Sequence, residues 1–218
     1  VGYWHLLDST NYFPGFKNPL THNLTVVALS IFVFLSGFLL AGGVGGKKFP
    51  PVGQFFKTRF MKIYPPFALT AVIFFLFHLI DLPTFLKTLT LVSMFWGPAS
   101  PTIWFIGMIA IFYALTPFLI KLADKSKSQL LVAACVIFGA FYLYASFFSF
   151  ADKRLLLYFP SFILGIWVAR FGLTVGWLSK AVYCAVFFFC VGLVTLTDGV
   201  EPQYSPFFIP LAMAGALL

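Results

Sequence analysis

The chain has 218 residues, of which 61% are hydrophobic, 21% aromatic and only 9% charged. A chain this apolar does not stay solvated as a disordered segment, and 14 Lys and Arg with 6 Asp and Glu cannot coat a soluble globule of this size. A mean hydropathy of +0.99 leaves one class, an all-α polytopic transmembrane helical bundle in a lipid bilayer. The net charge of +8 would point to nucleic acid in a soluble protein, but here it follows from membrane topology, and no nucleic-acid partner is expected.

The predicted elements, in chain order, begin with residues 1–7, which read as the end of an earlier helix. Spans follow at 24–43, at 63–82 (entered through Tyr64-Pro65-Pro66), at 102–123, 129–150, 155–171 and 180–197. Residues 207–218 read as the start of a later helix. The expectation is about six full spans and two partial ones. They form a single membrane-embedded domain over 1–218 that is truncated at both ends. Residues 84–97 are apolar but short, hold Lys87 and lie between Pro83 and Pro98, so they are expected to be interfacial or re-entrant. Cys135, Cys184 and Cys190 sit in apolar stretches without metal or CxxC spacing and read as lipid-buried small side chains.

Alternate connections divide the basic residues unevenly. Lys47, Lys48, Lys57, Arg59, Lys62, Lys121, Lys125, Lys127, Arg170 and Lys180 fall on one side. Lys17, Lys87, Lys153 and Arg154 fall on the other. The positive-inside rule makes the richer side cytoplasmic. Asp198, Glu201 and the loop 8–23 are then outside, and His5 lies near the extracytoplasmic surface.

An ionisable residue at membrane depth is a functional hypothesis by default. His5 closes the first partial helix, and Asp8, three residues on, would stand beside it on a helical turn and orient the imidazole. The alternative is an interfacial histidine among belt aromatics. His22 opens the next span, where the plain reading is an interfacial polar residue, and His78 lies deep in the second, where the plain reading is a bond to a neighbouring helix's carbonyl. In the stretch 54–65, Lys57, Arg59 and Lys62 alternate with aromatic and apolar residues. That pattern fits contact with anionic lipid, and it equally fits a site for a phosphate-rich ligand. The glycine-rich run before Lys47 is not a phosphate loop, because Ala41 and Lys48 occupy positions that need Gly and Ser or Thr. The residue five after His5 is Thr10, so a His-x4-Asp acyltransferase motif is absent. No HExxH motif or carboxylate pair occurs, and no metal site is read.

Four blocks, taken in order, resemble the acyltransferase-3 family of bacterial membrane O-acyltransferases. They are His5 followed by Phe34-Leu35-Ser36-Gly37-Phe38-Leu39-Leu40; Phe56-Lys57-Thr58-Arg59-Phe60-Met61-Lys62-Ile63-Tyr64-Pro65; Ile103-Trp104-Phe105-Ile106 with Tyr113 and Pro117; and Tyr158-Phe159-Pro160-Ser161-Phe162-Ile163-Leu164-Gly165-Ile166. The resemblance covers about residues 1–171, and beyond that rests on hydropathy. It implies a multi-pass protein of the inner or plasma membrane. Such a protein moves an acyl group, usually acetyl, from cytoplasmic acyl-CoA to a hydroxyl on an extracytoplasmic glycan or lipid-linked saccharide. Acyl-CoA is a co-substrate, and no bound cofactor is implied. His5 would be the catalytic base with Asp8 beside it. Arg59, Lys62, Lys57, Ser36 and Tyr64 would serve the donor. The family's opening-helix Arg would precede Val1, and its second cytoplasmic Arg is Lys62 here, which keeps the charge and loses the bidentate fork. Trp104 and Tyr113 read as packing. The competing reading is a non-catalytic transporter or flippase-like protein, against which the scarcity of Asp and Glu in the spans counts.

Overall fold

The computed structural model describes residues 19–42, 49–97, 99–100, 103–148, 151–172 and 185, with side chains from Thr25 onward. Among these residues there are six helices and no strands: α1 (Pro19–Leu40), α2 (Val52–Leu76), α3 (Leu82–Leu89), α4 (Trp104–Ala123), α5 (Lys127–Phe147) and α6 (Arg154–Phe171). Of these, α2, α4, α5 and α6 are long and apolar enough to cross a membrane, and the Thr25–Leu40 part of α1 is a shorter apolar helix. The expected span 180–197 and both partial helices lie outside the described residues, as do His5, Asp8, Cys184 and Cys190. The chain divides into two compact units, one of Val1–Lys47 with Leu156–Leu218, the other of Lys48–Leu155.

In the unit Lys48–Leu155, α4 is the central element. Its buried positions Trp104, Met108, Phe112, Thr116, Leu119, Ile120 and Ala123 recur at helical spacing, so one stripe is covered by neighbours. A short turn leads to α5, whose first turn is closed by Ser126, with its hydroxyl accepting from the Gln129 amide at 3.1 Å. Only Leu130 and Ala134 of α5 are buried, and Val132, Val136 and Leu143 point outward, as suits a helix with lipid on most sides. Cys135 is likewise an exposed free thiol on α5.

The second span departs from expectation. The sequence places its start at residue 63 on the strength of Pro65-Pro66, whereas α2 begins at Val52 and carries both prolines inside it. Each proline removes one ladder hydrogen bond, so the carbonyls of Met61 and Lys62 lose their i+4 donors. Both residues are exposed, so those carbonyls lie where other donors can reach them. The basic stretch is therefore helix, not loop.

The far end of α2 also ends early, at Leu76. The Leu79 amide donates to the Phe74 carbonyl at 2.9 Å and the His78 amide to the Phe75 carbonyl at 3.0 Å, the pattern of a Schellman cap. His78 takes the left-handed position of that cap, with φ 54°, and is exposed rather than deep in a span. The short helix α3 follows, bearing out the expectation that residues 84–97 do not span. Asp81 caps it, accepting from the Thr84 amide at 3.2 Å, and Pro83 stands in its first turn. Hydrogen bonding from Thr84, through its side chain first, holds the Asp81 carboxyl below its ordinary value of 3.8.

The segment after α3 is tied down by polar contacts. The Lys87 Nζ donates to the Gly97 carbonyl at 2.9 Å, the Tyr144 hydroxyl to the Phe95 carbonyl at 3.0 Å, and the Asp152 amide to the Met94 carbonyl at 3.0 Å. The Arg154 guanidinium pairs with the Asp152 carboxylate, with Nε 2.8 Å from Oδ1, and lies 3.9 Å over the Trp104 ring. Trp104 thus packs as expected and also holds a cation.

Phe67 of α2 shares a core cluster with Ile103, while Arg59 of α2 meets Tyr113 of α4, so the two helices run antiparallel. Charges sort accordingly. Lys57, Arg59, Lys62, Lys121, Asp124, Lys125 and Lys127 gather at one end of this unit, and Asp81, Lys87, Asp152, Lys153 and Arg154 at the other.

In the other unit, α1 and α6 approach to backbone contact. A Cβ on Gly37 would overlap the Phe162 carbonyl oxygen, and one on Gly165 would overlap the Phe34 carbonyl oxygen. Glycine at both positions is what lets the helices touch, the small-residue mode of membrane helix packing. Buried Phe159, Phe162 and Ile166 of α6 and Val26 and Val33 of α1 supply the apolar part of this unit's core.

Candidate functional site

On α2, Phe56, Phe60, Ile63, Tyr64 and Phe67 recur at helical spacing and make one aromatic-rich face. Across from it, α4 presents Ile106, Ala110, Tyr113 and Ala114. The two alanines are too short to fill the gap that the α2 rings leave. The result is a cavity of about 450 Å³, lined by these residues with Lys57, Arg59 and Leu91, within the range of small-molecule sites.

One end of the cavity is cationic and open. Phe56, Lys57, Phe60 and Ala114 there are exposed. The Arg59 guanidinium carbon lies 6.0 Å from the Phe55 ring centre and 5.9 Å from that of Tyr113, so two aromatic faces flank it. Neither Arg59 nor Lys57 makes a hydrogen bond or ion pair among the described residues, so the polar donors of both head groups are unspent. The Tyr113 hydroxyl is also without a hydrogen bond among the described residues. Pro117, four residues on, removes the amide that would otherwise close on the Tyr113 carbonyl.

The other end is apolar. Phe67, 2% exposed, joins Ala71 and Ile103 in a core cluster, with Tyr64, Leu91 and Ile106 packed on it. The Tyr64 hydroxyl donates to the Leu89 carbonyl at 3.1 Å and ties α2 to the end of α3. Here α3 finishes in a second Schellman cap: the Leu91 amide donates to the Thr88 carbonyl at 2.9 Å and the Val92 amide to the Lys87 carbonyl at 3.1 Å. Leu91 occupies the left-handed position at φ 61°, where α1 and α6 place Gly42 and Gly172. A leucine held there costs about 1–3 kcal/mol, and such strain clusters at functional sites.

The structure brings together Lys57, Arg59 and Tyr64 of the residues expected from sequence. Lys62 is exposed and does not line the cavity. Ser36 belongs to the other unit, where its hydroxyl donates to the Phe32 carbonyl at 2.9 Å, a self-contained helix bond. His5 and Asp8 lie outside the described residues. Tyr113, expected only to pack, stands beside Arg59. Phe56, Phe60 and Phe67 carry a signal in their spacing that appears once residues 52–67 are read as helix. Leu91 carries none.

A bundle of apolar helices long enough to cross a membrane, with two cations at the mouth of an apolar cavity, defines the class only as a multi-pass membrane protein. The comparison with known families gives the rest. The acyltransferase-3 family model, described as an acyltransferase domain, matches residues 1–218, and the chain belongs to that family. No curated protein and no solved structure matches it. The protein is a membrane acyltransferase.

Proposed function

We propose that the protein moves an acyl group, acetyl foremost, from cytoplasmic acyl-CoA to a hydroxyl of an extracytoplasmic carbohydrate or other cell-envelope acceptor, working as a multi-pass protein of the inner or plasma membrane. The observation that carries the donor half of this reading is the pair of unspent cations, Arg59 and Lys57, at the mouth of an otherwise apolar cavity. Phosphates are the anions such a pair prefers, and the guanidinium can take two phosphate oxygens at once. Partial shielding by Phe55 and Tyr113 lowers the local dielectric and strengthens the contact. Behind the phosphates, a pantetheine arm would follow the α2–α4 cavity inward, with the Tyr113 hydroxyl available to one of its amides.

His5 supplies the chemistry. Its neutral imidazole takes the proton of the acceptor hydroxyl as that oxygen attacks the thioester carbonyl carbon. The tetrahedral intermediate then collapses, the C–S bond breaks, and the CoA thiolate leaves with the proton returned to it. General-base help of this kind is worth about 10²–10⁴-fold. Asp8 holds the imidazole in the tautomer that presents a free ring nitrogen.

The test uses the protein in its own membranes with labelled acetyl-CoA, following label into the extracytoplasmic glycan fraction. Wild type transfers label, His5→Ala does not, and Arg59→Ala raises the KM for acetyl-CoA by about 10- to 100-fold, the worth of a charge-assisted hydrogen bond. Arg59→Lys recovers part of that loss. Wild-type membranes that transfer no label from any acyl-CoA, with acceptor present, refute the reading.

A further inference from the structure

The two cations reach the cavity mouth in different states. Lys57 is exposed, and among the described residues no ring flanks it. Arg59 is half-buried and stands in a slot between two rings. Phe55, one turn back on α2, makes one wall, with its ring centre 6.0 Å from the guanidinium carbon. Tyr113 of α4 makes the other, at 5.9 Å. The walls meet each other, their ring centres 6.5 Å apart and their planes inclined at 57°. Phe55 is itself fixed, being 4% exposed and packed on Phe49 with ring centres 5.0 Å apart.

The two walls do different work. Phe55 shares a helix with Arg59 and travels with it, so it does not fix the cation relative to the far side of the cavity. Tyr113 does, because it belongs to α4. An arginine side chain samples many rotamers, and a ligand that needs one of them must overcome that entropy on binding. A ring face attracts the guanidinium through its π-electrons, restricts its rotamers beforehand and uses none of its N–H donors. Those donors are the part that meets phosphate.

We infer that Tyr113 is a positioning residue for the donor: its ring holds the Arg59 guanidinium at the cavity mouth, in the place where it takes phosphate. The inference rests on the acyl-CoA reading above. The phosphates are not the reacting atoms, so the contact acts on donor affinity and leaves the acyl-transfer step alone.

The experiment measures transfer from labelled acetyl-CoA with the full protein in its membranes. Tyr113→Leu, which keeps an apolar side chain and removes the ring, raises the KM for acetyl-CoA about 2- to 30-fold at unchanged kcat. Tyr113→Phe, which keeps the ring and removes the hydroxyl, recovers most of that loss. In an Arg59→Ala background Tyr113→Leu raises KM no further, whereas a role in packing alone would cost the same in both backgrounds. If Tyr113→Leu is not recovered folded, phenylalanines with increasing numbers of ring fluorines at position 113 take its place. They keep the ring's shape while drawing electron density from its face, and KM rises stepwise with fluorine number. An unchanged KM in Tyr113→Leu, an effect undiminished without Arg59, or a fluorine series without a trend overturns the inference and leaves the acyl-CoA reading standing. So does a loss in Tyr113→Phe as large as in Tyr113→Leu, which would assign the effect to the hydroxyl. No transfer by wild type from any acyl-CoA overturns both.

Discussion

Gly165→Ala should part α1 from α6. A Cβ at this position overlaps the Phe34 carbonyl oxygen and falls 2.8 Å from the Phe38 amide nitrogen and 3.1 Å from the Phe34 carbonyl carbon. Non-bonded carbons settle at about 3.5–4.0 Å. Every obstructing atom is backbone, so no rotamer change relieves the clash and the helices must separate by about 1 Å. A gap of that size forfeits about a quarter to a half of the dispersion energy at each contact along the crossing. Overpacking of this kind costs about 1–3 kcal/mol. Against it stands the helical preference of alanine over glycine, about 0.5–1 kcal/mol. The net expectation is a loss of about 1–2 kcal/mol, or about 5- to 30-fold in the folding equilibrium. Gly139→Ala is the matched control, because nothing lies within 4 Å of its Cβ position; it should be neutral or mildly stabilising. Thermal denaturation in detergent micelles, followed by the surviving monomer peak on size exclusion, measures both. Gly37→Ala should resemble Gly165→Ala, and the double variant should cost less than the two together, because one separation relieves both clashes. If Gly165→Ala melts with Gly139→Ala, the close crossing is wrong.

Three further outcomes follow from the unit Lys48–Leu155. His78→Gly should stabilise by about 0.5–1 kcal/mol, since it frees a left-handed position of strain without removing a buried contact; unchanged or lower stability in the same melt would count against the cap. Arg154→Ala should cost about 2 kcal/mol and shift Trp104 fluorescence, because it strips a cation 3.9 Å from the ring and leaves Asp152, 9% exposed, unpaired. The Asp81 cap gives an acid dependence confined to α3. Its folded carboxyl lies below the ordinary 3.8, so its contribution is complete above that value and is lost as pH falls through the lowered one. Hydrogen exchange of the Thr84 and Phe85 amides, corrected for intrinsic rate, should lose protection there, and Asp81→Asn should make that protection insensitive to acid.

Much of the fold was legible because lipid imposes a length on apolar runs. The expected 102–123 and 155–171 differ from α4 and α6 by two residues or fewer at each end. The misread element was α2. Gln54, Lys57, Arg59 and Lys62 dilute its hydropathy, and a proline pair ordinarily marks an entrance to a helix, not its middle. A start at residue 63 puts His78 at depth instead of in the exposed turn where it stands, and hides the aromatic face on which the cavity depends. Lys57 and Arg59 were visible as cations. Their neighbour Tyr113 was not, because a tyrosine in an apolar helix has no pattern that separates lining from packing. Leu91 is illegible in principle, since leucine gives no signal for a left-handed backbone. The family resemblance, read from ordered blocks, agrees with the family match over residues 1–218.

The sorting of charge between the ends of Lys48–Leu155 also bears on how firmly the protein is oriented once inserted. Among the described residues, one end holds six cations and one carboxylate, and the other three cations and two carboxylates, a difference of four charges. In an energised membrane each charge carried across the potential is worth about 2.3 kcal/mol per 100 mV. Inverting this unit would therefore cost about 9 kcal/mol at that voltage, before any desolvation. The same potential that would hold the cavity mouth on the inner face belongs to the cell, not to the fold, so the protein's orientation would be most secure where the membrane is energised and weakest in a depolarised vesicle.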